Sequence, residues 1–116
     1  MTWFSEKTPQ AARAFSELRN SVYKEGALDQ RTKELISVAA STLMRCEPCT
    51  QIHIERAKKQ GATDEMISEA VVCAMFVAAG SQLSWSEVYE NMLGKGYPQE
   101  ETAMLERREP EVKCLR

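Results

Sequence analysis

The stretch from Asp29 to Thr63 reads DQRTKELISVAASTLMRCEPCTQIHIERAKKQGAT, and its punctuation decides the fold. Leu35, Ile36, Val38, Ala39 and Leu43 recur at helical spacing behind Asp29, a residue type favoured at a helix cap. That apolar face predicts a helix running to about Arg45. Pro48 then suits the first turn of a new helix, where a missing N–H costs no hydrogen bond, so Cys46-Glu47-Pro48-Cys49 opens the next one. Gly61 ends that helix and Thr63 caps another. With so short a connection, the helix that starts at Cys46 must run back along its predecessor.

The same grammar extends in both directions. Thr8-Pro9 reads as a cap and first-turn pair ahead of Ala11, Phe15, Leu18 and Val22, with Gly26 as the stop. Downstream, about Asp64 to Ala79 predicts a helix that is apolar on nearly every side, including Ile67, Val71, Cys73, Met75 and Phe76. A helix of that kind has to be enclosed, and a partly intersubunit position is expected, with Cys73 a small core residue. Gly80-Ser81 predicts a break before a further helix carrying Leu83, Val88, Tyr89, Met92 and Leu93. No stretch alternates with period two, and no Asn-Gly or Asp-Gly hairpin turn occurs. The expectation is all-α: one domain of five to six helices over residues 1–98, then a charged tail over residues 99–116 that contains Cys114.

Composition removes several functions. Fifteen basic residues against 17 acidic ones give a net charge of −2, without the basic excess that nucleic-acid binding needs. The first residues lack a basic segment followed by an apolar run, so no signal peptide is read. The most apolar stretch, Ala70 to Ala79, is about half a bilayer span. A cytoplasmic protein that does not engage membranes is therefore expected. Four cysteines without a signal do not make a disulfide framework, and a close pair among them points to redox chemistry or metal binding. Neither a Gly-x-Gly-x-x-Gly turn nor a P-loop occurs, so no bound organic cofactor is expected.

Cys46, Cys49 and His53 fall within about 60° of one another on a helix surface. Cys49 and His53 stand at i, i+4, where side chains meet. Both cysteines lie at a helix start, where free N–H groups and the helix dipole favour the thiolate, the reactive form. Two thiols two residues apart also close to a disulfide with little backbone movement, as an attacking and resolving pair requires. His53 is placed to take the proton from Cys49. Three plainer readings stand beside this one: a zinc site lacking a fourth ligand, a structural disulfide closing a very small loop, and two buried cysteines near an unrelated histidine.

From Gly26 to Ala79 the chain resembles the alkylhydroperoxidase D-like branch of the carboxymuconolactone decarboxylase family. The resemblance rests on Glu25-Gly26-Ala27-Leu28-Asp29, on Arg31-Thr32-Lys33-Glu34-Leu35-Ile36 and on Cys46-x-x-Cys49-x-x-x-His53. It continues through Ala57 and Gly61-Ala62-Thr63-x-Glu65-x-Ile67-x-Glu69-Ala70. It implies an all-helical protein that assembles as a trimer or hexamer. It also implies a thiol-dependent peroxidase or disulfide reductase acting on a small hydroperoxide or disulfide and recycled by an external thiol or dithiol donor. Cys49 would then attack, Cys46 resolve, and His53 with Glu34 relay the proton. Lactone decarboxylation, the reaction that names the family, needs no cysteine pair. A redox-sensing or zinc-stabilised interaction module is the alternative from another class. Where the best-studied peroxidases of this branch carry a second histidine, this chain has Pro48, which favours thiol exchange over peroxide cleavage. Counting helical rise alone, Glu34 should meet His53 obliquely or through a water.

Overall fold

The computed structural model describes residues 2–94. Six helices follow one another there: α1 (Thr2–Lys7), α2 (Pro9–Tyr23), α3 (Gln30–Leu43), α4 (Glu47–Lys59), α5 (Asp64–Leu83) and α6 (Ser86–Leu93). No strand occurs among the described residues, and the fold is all-α as expected. The chain forms two compact units, Met1–Gly80 and Ser81–Arg116. The expected boundary at residue 98, the charged tail and Cys114 lie outside the described residues.

Within the first unit, α3 and α4 are the main packed pair. Val38 and Ala57 are completely buried between them, joined by Ala62 and Ile67 and flanked by Leu35, Ile54 and Val71. The antiparallel return is set by how α3 ends. Arg45 takes a left-handed backbone (φ 53°), its N–H bonds the Thr42 carbonyl, and the Cys46 N–H reaches back to Ser41 O at 3.1 Å. This is the Schellman arrangement, which satisfies the last carbonyls of α3 and turns the chain sharply into α4. α4 ends in the same way: Gly61 has φ 86°, its N–H bonds Lys58 O, and the Ala62 N–H bonds Ala57 O at 2.9 Å. Glycine tolerates that conformation freely; an arginine holds it at a cost of about 1–2 kcal/mol.

The caps at α3 and α5 fall where the sequence places them. Asp29 Oδ1 accepts from the Thr32 N–H at 2.7 Å, and Thr63 Oγ1 accepts from the Met66 N–H at 3.2 Å. Other expectations need correction. Thr8 does not cap α2 with its side chain, because its hydroxyl donates to Phe4 O of the additional helix α1. Gly80-Ser81 does not break the chain, since α5 continues to Leu83. A single glycine costs a helix only about 1 kcal/mol, too little to stop one of 20 residues.

Within one chain α5 is also not enclosed. Ile67 and Ala74 are buried, whereas Val72, Met75, Val77 and Phe76 (76% accessible) are exposed. Cys73 is likewise exposed rather than a core residue. By length and composition α5 is sufficient to cross a membrane, the one such helix among the described residues.

Candidate functional site

The site begins with the turn that delivers Cys46. Because Arg45 turns the backbone, Cys46 becomes the N-cap residue of α4, and its Sγ accepts from the Cys49 N–H at 3.3 Å. Pro48 lies in the first helical turn, and Thr50 closes the cap by bonding Cys46 O through both its N–H and its hydroxyl. Cys46 and Cys49 form a disulfide with Cα atoms 5.2 Å apart. Both are partly accessible. A cavity of about 310 Å³ lined by Thr42, Arg45, Cys46 and Thr50 opens beside Cys46.

One turn beyond Cys49, His53 faces α3. Its Nδ1 lies 2.7 Å from Glu34 Oε2, a direct contact, so of the two approaches expected the water-bridged one is not needed. Glu34 is only 5% accessible, so it is not an exposed first-turn glutamate, and the His53 side chain is 16% accessible. A carboxylate buried so deeply fixes the proton on Nδ1 and leaves Nε2 as the free basic nitrogen. No hydrogen bond joins His53 to either sulfur. The four residues thus form two linked pairs, a disulfide at the start of α4 and an imidazole–carboxylate pair one turn further along. Among the described residues, no three His, Cys, Asp or Glu side chains converge as metal ligands.

Sequence reasoning missed Tyr23. Its ring packs on the His53 imidazole with centroids 5.7 Å apart and planes inclined by 32°. Ser37 Oγ donates to Lys33 O at 2.9 Å, so the Tyr23 hydroxyl is the donor in its 2.5 Å bond to Ser37. Lys33 Nζ in turn donates to Val22 O and Lys24 O, tying the end of α2 to α3. Only the spacing of Lys33, Glu34 and Ser37 on α3 hints at this in the sequence, since Tyr23 comes from another helix. Asp29, at the start of α3, is held below the ordinary carboxylate value of 3.8. The Thr32 N–H is the main cause, then the Thr32 side chain, with desolvation opposing them and Arg31 adding least.

A Cys-x-x-Cys pair at a helix start, packed within an all-helical unit, defines the class of protein. The chain belongs to the carboxymuconolactone decarboxylase family, whose model matches residues 9–87. Among curated relatives, it is 43% identical over 68 residues to uncharacterized protein 4 in the cox locus of Paracoccus denitrificans, covering 59% of this chain and 61% of the relative. It is 31% identical over 65 residues to the alkyl hydroperoxide reductase AhpD of Corynebacterium kroppenstedtii, covering 56% of this chain and 37% of that protein. The chain thus spans less than two thirds of these relatives.

Two solved structures share the fold. A Methanobacterium thermoautotrophicum protein superimposes with a TM-score of 0.69 at 39% identity, over 73% of this chain and 96% of the other. A carboxymuconolactone decarboxylase family protein of Thermotoga maritima, for which a part in the antioxidative response has been suggested, gives 0.57 at 33% identity over 84% and 95%.

Proposed function

We propose that this protein is a thiol-dependent oxidoreductase, a disulfide reductase or peroxidase in which Cys49 attacks and Cys46 resolves. The observation that carries the reading is the buried Glu34–His53 pair one helical turn from a closed Cys46–Cys49 disulfide. In the reduced protein, His53 Nε2 takes the Cys49 thiol proton while Glu34 stabilises the imidazolium. The Cys49 thiolate attacks a substrate disulfide, forming one S–S bond and expelling one thiolate. Cys46 then attacks Cys49 Sγ and expels the second thiol, so the substrate gains two electrons and the protein loses two. With a hydroperoxide, the thiolate takes the terminal oxygen to give a sulfenic acid, and the alkoxide leaves with a proton. Cys46 then closes the disulfide and releases water. An external thiol or dithiol donor returns the two electrons.

Cys46 suits the resolving role, because its sulfur lies within bonding reach of Cys49 Sγ at the start of α4. The Cys49 N–H directed at Cys46 Sγ, with the cavity opening on Cys46, favours a second reading in which Cys46 attacks first. The exposed apolar side chains of α5 support a homo-oligomer, trimer or hexamer, in which a neighbouring copy covers them.

The activity is tested by steady-state reduction of a small disulfide and of an organic hydroperoxide, with metal analysis of the same sample. Metal-free wild type should turn over the disulfide, and Cys49→Ser should lose that turnover. Unchanged turnover in the variant, or stoichiometric zinc, refutes the reading.

A further inference from the structure

An open groove of about 540 Å³ lies on the first unit, on the far side of the Glu34–His53 pair from the disulfide. Arg19 and Lys24 come to it from α2, Arg56 and Lys59 from α4, with Tyr23 and Glu34 also in its lining. Among the described residues, none of these four cations forms an ion pair. The nearby Lys58 pairs instead with Asp64, and the groove's carboxylate, Glu34, is bonded to His53. Four cations around one concavity, against a single carboxylate already engaged, make a site of net positive charge in a chain whose net charge is −2. A concave wall focuses such a field, and the volume suits a small organic ligand.

The groove is also in register with the dithiol. On α4, Cys49, His53 and Arg56 follow at i, i+4 and i+7, so they occupy one stripe of the helix. Arg56 is about 10 Å along the axis from Cys49 at 1.5 Å per residue. A molecule seated in the groove by its charged end therefore needs an extended arm of about 10 Å, passing His53, to bring a sulfur to the cysteines.

We infer that this groove binds an oxyanion, carboxylate or phosphate, and that it selects an anionic thiol or disulfide as the reaction partner of the Cys46–Cys49 pair. The choice of reaction partner rests on the thiol-exchange reading above, whereas the anion binding itself does not.

Calorimetric titration of the oxidised protein with inorganic pyrophosphate at low salt separates the two. Pyrophosphate should bind with one site per chain. The double substitution Arg56→Gln/Lys59→Gln should weaken it by about tenfold or more, as should Arg19→Gln/Lys24→Gln on the other wall. Lys58→Gln, which removes the same type of charge outside the groove, should leave binding within about twofold of wild type. Circular dichroism of each variant checks that it has folded, and the two walls give independent tests. Absence of binding to wild type, or equal weakening by Lys58→Gln, overturns the inference whatever the enzyme's activity. For partner choice, pyrophosphate should slow exchange of the reduced wild-type protein with oxidised glutathione, which carries carboxylates, and should not slow exchange with the neutral 2-hydroxyethyl disulfide. Equal effects on the two disulfides refute the selection even where the anion binds.

Discussion

Glu34→Gln is the most informative single substitution, because it removes one charge and almost no volume from a site that is 5% accessible. In wild type the carboxylate accepts the His53 Nδ1 proton at 2.7 Å. When His53 takes the thiol proton, that contact becomes a fully charged pair. Two unit charges about 4 Å apart interact by about 4 kcal/mol at an effective dielectric near 20. A hydrogen bond to a charged group contributes about 1.5–3 kcal/mol net. His53 is 16% accessible, so solvent screens part of the larger figure, and a loss of about 2–3 kcal/mol is expected. That is a slowing of about 30- to 150-fold in the proton-coupled attack. The assay is single-turnover reaction of the reduced protein with an aromatic disulfide whose released thiolate absorbs, followed by stopped flow. The same substitution in a His53→Ala background should add little, because Glu34 acts through His53. A Glu34→Gln rate within about threefold of wild type, or an equal loss with and without His53, refutes the relay.

Other consequences follow from the fold. Gly61→Ala puts a Cβ on a left-handed residue with open space around it, so strain alone should destabilise the protein by about 1–2 kcal/mol in denaturant unfolding. Arg45→Gly, at the equivalent position after α3, should do the opposite and stabilise by about 1 kcal/mol; a loss of stability would show that the Arg45 side chain, not its backbone, holds the turn. The Asp29 carboxyl is held below its ordinary 3.8, so its contribution to stability is present above that value and is lost as pH falls through the lowered one. Asp29→Asn should therefore flatten the acid limb of the thermal midpoint below about pH 4, and an unchanged acid limb would count against the cap. Sedimentation at micromolar concentration should show an assembly; a single 13.1 kDa species would refute the homo-oligomer.

The local punctuation was legible in the sequence, and the contacts between helices were not. Asp29, Pro48, Gly61 and Thr63 act within a few residues of themselves, so their roles in starting or ending helices can be read from spacing. The Glu34–His53 contact depends on how two helices cross and how far two side chains reach. Counting rise per residue includes neither, so it left a direct oblique approach and a water bridge both open, and the direct bond is the one formed. Tyr23 and the groove are assembled from separate helices, so their residue types carry no signal in any one of them. Arg45 misleads in a different way: its left-handed backbone does the work that glycine does at Gly61, with no residue type to announce it. Cys73 was misjudged because an apolar helix reads as enclosed, whereas one chain alone leaves this one uncovered, and the length of α5 because Gly80 reads as a stop that a single glycine does not enforce.

The central claim, that Cys49 attacks and Cys46 resolves, is tested most directly by trapping the mixed disulfide. Cys46→Ser and Cys49→Ser, each reduced, are mixed with oxidised glutathione and analysed by mass spectrometry with peptide mapping at short times. A stable adduct should form rapidly on Cys49 in Cys46→Ser, and little adduct should form on Cys46 in Cys49→Ser. Faster capture on Cys46 would contradict it and reverse the two roles.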